Sequence, residues 1–390
     1  MAILNSVAAL HSDIVTWRRD LHANPELGYD EHRTSAFVAE RLREFGCDEV
    51  ATGLGKTGVV GVIKGRKAPS DADIRVIGLR ADMDALPIDE AVDRPYTSTT
   101  KGVMHACGHD GHTAMLLGAA RYLAETRNFA GTAVMIFQPA EEAGAGAAAM
   151  ISDGLMDRFG IEQVFAMHNS PGLPVGRFAI RQGPMSASTE GMVIKIEGHG
   201  GHASTPHKCI NSVLVGAQLT TALQQIVASN IDPLEPAGVS VCVFLSGSSG
   251  SVVPQTAELR GTIRTLTPQA NQLVKKRVHD IAAGIAQVTG ATIDVTYRPG
   301  YPAMFNHAAQ TDLAMMVAKE VVGEDNVLEC RPSLGGEDFG YMLQERPGAY
   351  ICCGNGDSAG LHHPAYDFND DAILYGTSFW IKLVERSLVA

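Results

Sequence analysis

The sequence predicts an α/β protein in which a mostly parallel-sheet domain is interrupted by an inserted ferredoxin-like (β-α-β-β-α-β) domain. Three observations predict it. Apolar runs alternate with helical patterns in the first half of the chain, the mark of a parallel sheet covered by helices. From about residue 186 the order becomes strand, helix, two strands, helix, strand, that of a ferredoxin-like sandwich. After about residue 300 the chain returns to clustered polar endings like those of the first half. The boundaries are therefore read as 1–185 with 300–390 for a discontinuous domain and 186–299 for the insert, two cores for 390 residues.

Taken in order, Val7, Leu10, Ile14, Trp17 and Leu21 recur at spacings of three and four, an amphipathic helix that stops before Pro25. A second helix is expected over 34–45, with Phe37, Val38, Leu42 and Phe45 on one side and Gly46 as its stop. The apolar runs "IRVIGLRADMD", "GTAVMIFQPAEE" and "EQVFAMHNS" read as buried strands, and "HTAMLLGAARYLAE" as a helix after the first of them. Each run ends in ionisable residues: Asp82 and Asp84, Glu141 and Glu142, His168. Ligands of such sheets gather beyond the carboxyl ends of the strands. In the insert, the strands are "TEGMVIKIEGHG", "GVSVCVFLSG", "TAELRGTIRTL" and "TIDVTYRP", the helices "INSVLVGAQLTTALQQIVAS" and "ANQLVKKRVHDIAAGIAQV", and "SGSSGS" is a loop.

Composition excludes several classes. The formal net charge is −12, with no Lys/Arg stripe to meet a phosphate backbone, so no nucleic-acid partner is expected. No apolar span reaches 18 residues and the N-terminal stretch lacks the basic and apolar regions of an export signal, so no membrane partner and a cytoplasmic location are expected. Seven cysteines without regular spacing fit a reducing compartment.

The stretch "GVMHACGHDGHTAMLLGAA" crowds three His and one Cys ahead of an apolar helix. In an extended segment Cys107 and His109 would share a face about 6.6 Å apart, within reach of one metal or a close pair; alone, the pattern equally describes a buried thiol beside a capping His. Glu141 and Glu142 follow an apolar strand and point in different directions, so one can ligate while the other moves protons. His168 ends a strand, and His362 and His363 share a Gly- and Pro-bounded loop. Cys107, His109, Glu142, His168 and His362 thus recur at predicted strand ends or adjoining loops. Five donors exceed one tetrahedral zinc site, which favours a pair of metals about 3.5–4 Å apart. A divalent cation would make Cys107 a thiolate ligand rather than a nucleophile.

These motifs, together with "RRDLHANPELGYDE", "LRADMDALPIDE", "FQPAEE", "GHGGHASTPH", "GGEDFGYM" and "GLHHPAYDFND", run along nearly the whole chain. The sequence resembles the amidohydrolase branch of the M20 metallopeptidase clan: hippurate hydrolases, N-acyl-amino-acid amidohydrolases and auxin-conjugate hydrolases. The resemblance implies two divalent metal ions per chain, of zinc, manganese, nickel or cobalt, held by Cys107, His109, Glu142, His168 and His362, with His363 as a one-residue alternative to the last. It implies Glu141 as general base and acid to a metal-bridging hydroxide that attacks an amide carbonyl, and Asp84 as the carboxylate that orients a ligand. It further implies that the insert is a lid and dimerisation domain, that His202 in "GHAS" helps bind the reacting carbonyl, often across the subunit interface, and that the assembly is a homodimer or higher homo-oligomer. Arg264 in "GTIRT", together with Gly336 in "GGEDFGYM", is placed at the substrate, where a guanidinium can clamp a free carboxylate. The substrate implied is a small N-acyl amino acid carrying an N-aroyl or N-acetyl group. A dipeptidase or carboxypeptidase-like activity is the alternative within the clan, and a non-catalytic binder of small carboxylates the alternative outside it. Two departures lie in the insert: Asn211 and Ser212 stand where the branch usually has Asp-Pro, and Ser251 where Asn is common.

Overall fold

The computed structural model describes residues 5–68, 75–142 and 144–389, which form two compact units. The larger spans Met1–Gly183, Phe305–Arg331 and Asp338–Ala390, and the smaller Pro184–Met304 with Pro332–Glu337. The short segment 332–337, which contains Gly336, lies in the smaller unit although the sequence reading ran the first domain unbroken from residue 300. Among the described residues, no helix is long and apolar enough to cross a membrane.

The larger unit is built on an eight-stranded mixed sheet, in the order Glu49–Leu54, Gly58–Lys64, Thr132–Gln138, Val76–Asp82, Gln163–Pro171, Gly348–Gly356, Phe178–Ile180, Val327–Glu329. Its four central strands, Thr132–Gln138 through Gly348–Gly356, are mutually parallel. They are apolar at consecutive positions because both faces are covered. Asn5–Ala23, His109–Thr126 and Ala372–Ser387 pack on one another over the sheet. Close approach explains the small residues of the middle helix: a Cβ at Gly118 would lie 2.4 Å from Ile14 Cδ1. The hairpin Glu49–Leu54/Gly58–Lys64 and the helices Ala308–Val322 and Ala372–Ser387 were not read from the sequence.

The smaller unit is a four-stranded antiparallel sheet in the order Ala237–Ser246, Thr256–Thr265, Ser188–Glu197, Thr292–Pro299. One face carries Met192, Ile194, Ile196, Leu259 and Ile263, which pack on Val215 and Leu219 of the helix Ser212–Leu223 and on Val274 and Val278 of Pro268–Thr289. Thr267 caps the second helix, accepting from Ala270 N at 3.1 Å, Pro268 opens it, and Gly290 closes it at φ +77°. The expected helix over 210–229 divides into Ser212–Leu223 and Gln225–Asn230. Asn211 caps the first piece through its own side chain, which accepts from Val213 N at 3.0 Å, as an Asp there would.

Candidate metal centre

The predicted donors converge from four stretches of the larger unit. The first is the turn into the helix His109–Thr126. The sequence reading placed Cys107 and His109 on an extended segment and began the helix at His112; the helix begins at His109, behind Gly108 at φ +90°. This left-handed residue turns the chain so that Cys107 Sγ, a His109 ring nitrogen and a His168 ring nitrogen lie within 4.8 Å of one another. A Cβ at Gly108 would meet Asn169 Nδ2 at 2.3 Å and Tyr366 Oη at 2.4 Å, so only glycine serves.

The second stretch follows Thr132–Gln138. Glu141 and Glu142 sit in a turn beyond the strand, entered through Ala140 at φ +50°, rather than at the strand end itself. Buried Glu31 holds that turn by accepting from Ala140 N at 2.8 Å and from Thr57 Oγ1 at 2.6 Å. Tyr29 donates to Gly144 O at 2.6 Å. The motif "PELGYDE", 110 residues upstream in sequence, is thus the support of the paired carboxylates.

His168 lies in Gln163–Pro171, its Nε2 3.3 Å from Cys107 Sγ and its Nδ1 donating to Asn169 O. His362 occupies the loop after Gly348–Gly356 at φ +63° and places Nε2 3.1 Å from Glu142 Oε1. His363 turns away: its Nδ1 accepts from Ala365 N, and it belongs to none of the donor groups. Cys107, Glu142 and His362 form a second cluster of donor atoms within 4.8 Å. The two clusters share Cys107, and His109 Nε2 and Glu142 Oε1 stand 4.0 Å apart. Glu141 joins His109 and Glu142 in a third.

Asp84 orients both sides of the site. Its Oδ1 lies 3.1 Å from His109 Nδ1, directing Nε2 towards the other donors, and its Oδ2 accepts from Glu142 N at 2.9 Å. Beneath it runs a network the sequence did not disclose. Buried Arg80 reaches Asp82 at 2.8 Å, Gln138 at 2.8 Å and Asp338 at 3.0 Å, while Asp82 accepts from His112 Nδ1 at 2.6 Å. Asp82, His109 and His112 also cluster, but Asp82 is already matched by Arg80 and His112.

The electrostatics fit a cation. Burial, then the charges of Glu142, Glu141 and Asp82, push the Cys107 thiol well above its ordinary range. Burial opposes a charge on His109, yet Asp82, Asp84 and Glu142 outweigh it and raise its pKa to about 10. His109 Nε2 is buried with no hydrogen-bond partner, 3.7 Å from Asp82 and 4.0 Å from Glu142. Without a metal, this pocket of carboxylates draws a proton onto His109 and keeps one on Cys107. A divalent ion would supply the missing charge and release both. Soft sulfur, imidazole and carboxylate donors within a few ångströms are the set such ions take.

His202, Arg264 and Gly336 belong to the smaller unit. His202 is exposed, its Nδ1 accepting from Ser204 N and 2.8 Å from Ser204 Oγ. Arg264 is half-buried on Thr256–Thr265, opposite Thr189. A Cβ at Gly336 would lie 2.6 Å from Thr189 Cγ2 and 3.6 Å from Arg264 Nη1, so the glycine keeps the side of the guanidinium open.

Residues 78–386 match the model of peptidase family M20/M25/M40. The chain is 40% identical to a hippurate hydrolase of Campylobacter jejuni over the whole of both chains. It is 41% identical to thermostable carboxypeptidase 2 of Saccharolobus solfataricus, over 90% of this chain and 88% of that protein. A solved dinuclear metal-binding peptidase of the M20 family from Bacillus subtilis superposes with a TM-score of 0.86 at 33% identity, covering 98% of this chain and 99% of that one. The chain belongs to peptidase family M20/M25/M40 and is a metal-dependent hydrolase of amide bonds.

Proposed function

We propose that the chain removes an N-aroyl or N-acetyl group from an amino acid, releasing a carboxylic acid and a free amino acid, with two divalent ions held by Cys107, His109, Glu142, His168 and His362. One observation carries the reading: two donor clusters share Cys107, and Glu141 lies beside them. When bound, such ions polarise the amide carbonyl and acidify water. Glu141 takes the proton of the attacking water and returns it to the leaving amine. Cys107 and the three imidazoles ligate through sulfur and nitrogen, a set that zinc, manganese, nickel or cobalt accepts. Asp84 keeps His109 in the tautomer that presents Nε2.

The reading is tested by hydrolysis of N-benzoyl, N-acetyl and dipeptide substrates by protein as isolated, stripped with a chelator, and reloaded with single metals. Activity is expected to vanish on stripping and to return with one or more of the four metals, aroyl or acetyl substrates leading. Two metals bound per chain and no turnover of any substrate would leave only a binder of small carboxylates. The similarity to a carboxypeptidase supports a second reading, cleavage of a peptide's last residue, and dominance of dipeptides in the same panel would select it.

Arg264 takes the substrate's free carboxylate in this proposal, with Gly336 leaving it room. Arg264→Ala is expected to raise KM for N-acyl amino acids about 10- to 100-fold, the loss of one charge-assisted pair. Substrates whose carboxylate is amidated should scarcely notice the change. An equal rise for both would remove Arg264 from this role.

A homodimer through the smaller unit completes the proposal. The edge strand Ala237–Ser246 exposes Phe244 and Leu245, and the adjoining helix exposes Val213 and Leu214. An apolar edge of this kind is a template for pairing with its own copy.

A further inference from the structure

We propose that Asn169, braced by His112 and Tyr366, is the positioning residue that locks the Cys107–Gly108–His109 turn in its metal-binding shape. The inference rests on the reading of Cys107 and His109 as metal ligands. Asn169 is buried, follows His168 on its strand, and uses every polar atom it has. Its Nδ2 donates to Cys107 O at 2.6 Å and lies 3.0 Å from His112 Nε2, which also accepts from Asn169 N at 2.9 Å. Its Oδ1 accepts from Tyr366 Oη at 2.8 Å. Tyr366 is fully buried.

The orientation of the amide is decided by these partners. His112 Nδ1 donates to Asp82 at 2.6 Å, which leaves Nε2 as an acceptor of neutral imidazole, so the group facing it must be the NH2. Tyr366 then meets the oxygen. One side chain therefore ties the backbone of Cys107 to three elements: the strand carrying His168, the helix carrying His112, and the loop carrying Tyr366. Gly108 completes the fit, since a Cβ would collide with both Asn169 and Tyr366. The peptide between two donors is clamped at its carbonyl, which fixes the direction of Cys107 Sγ relative to His109 Nε2. Groups that orient ligands from behind change metal affinity by about 10- to 100-fold when removed.

The test is titration of metal-free protein with cobalt(II), following the absorption of cobalt bound to thiolate, for wild type, Asn169→Ala and Tyr366→Phe. Wild type is expected to develop the thiolate band. Asn169→Ala should bind cobalt about 10- to 100-fold more weakly, with a weakened or shifted band, while the metal-free protein keeps its wild-type circular dichroism. Tyr366→Phe removes one hydroxyl from a retained ring and should move both readouts in the same direction by less. Wild-type affinity and an unchanged band in both variants would overturn the role of Asn169. If Asn169→Ala does not fold, Tyr366→Phe decides alone, and its indifference overturns the proposal. Absence of the band from wild type itself would refute the ligand reading of Cys107, a different failure from indifference of the variants.

Discussion

Glu141→Gln should lower kcat for amide hydrolysis by about 10²- to 10⁴-fold, the range set by loss of a positioned proton-transfer group, while metal content stays at the wild-type level. The division of labour between the neighbouring carboxylates predicts this. Glu142 faces His362 at 3.1 Å and shares a donor cluster with Cys107, and its backbone is tied to Asp84. Burial would raise its pKa, but the hydrogen bond with His362 and the charge on His109 outweigh that and hold it low, as befits a ligand. Glu141 is buried beside His109 and Glu142 but outside the two clusters that contain Cys107. Glutamine keeps the shape of Glu141 and cannot take a proton. Elemental analysis and kcat on the same preparation check the expectation, with Glu142→Gln as the counterpart that should lose metal first. Loss of metal from Glu141→Gln, or retention of kcat, would exchange or abolish the roles.

Part of this site was legible because its donor types cluster in short motifs at or just beyond apolar runs, near which a parallel sheet collects ligands. For His168 the alternation of strands and helices was enough to suggest that edge, whereas Cys107, His109, Glu142 and His362, which lie in turns and a loop, were singled out by donor type and by the family resemblance. What the sequence could not show is how the donors are aimed. Gly108 and Ala140 adopt left-handed backbone at the two critical turns, and nothing in residue spacing distinguishes an extended Cys-Gly-His from a turned one. The supports were hidden for a related reason. Glu31 reaches Ala140 and Arg80 reaches Asp338 across 109 and 258 positions, and a single Glu or Arg carries no periodicity. The first strand of the hairpin over 49–64 escaped because "EVATGL" neither alternates cleanly nor forms an apolar run. The smaller unit was easier to read: its strands keep period two, and the helix expected over 270–288 falls short only of its Thr267–Pro268 start and the Gly290 stop.

The other large effect concerns His202, which in the proposed dimer serves a site on another chain. Arg264 pairs with Thr189 at one end of the ladder between Ser188–Glu197 and Thr256–Thr265, and Thr256 pairs with Glu197 at the other. Those registers are eight residues apart, about 26 Å of strand. His202 lies beyond the far end, where Gly201–His202 pairs with Val252–Val253. An acyl amino acid is much shorter than that, so Arg264 and His202 of one chain cannot grip the same molecule. If both act on substrate, one of the two must come from a second copy, and the proposed dimer assigns that part to His202. His202→Ala is expected to lower kcat by about 10²- to 10³-fold, the usual effect of removing one donor to a developing oxyanion. Co-expression of His202→Ala with Glu141→Gln under two different tags separates the arrangements. In a mixed dimer, the chain with intact Glu141 receives intact His202 from its partner, so one site of two works and about half of wild-type activity returns. Were His202 to act within its own chain, the mixed dimer would be as inactive as either parent, and the argument from strand length would require Arg264 either to come from the second copy or to leave the substrate.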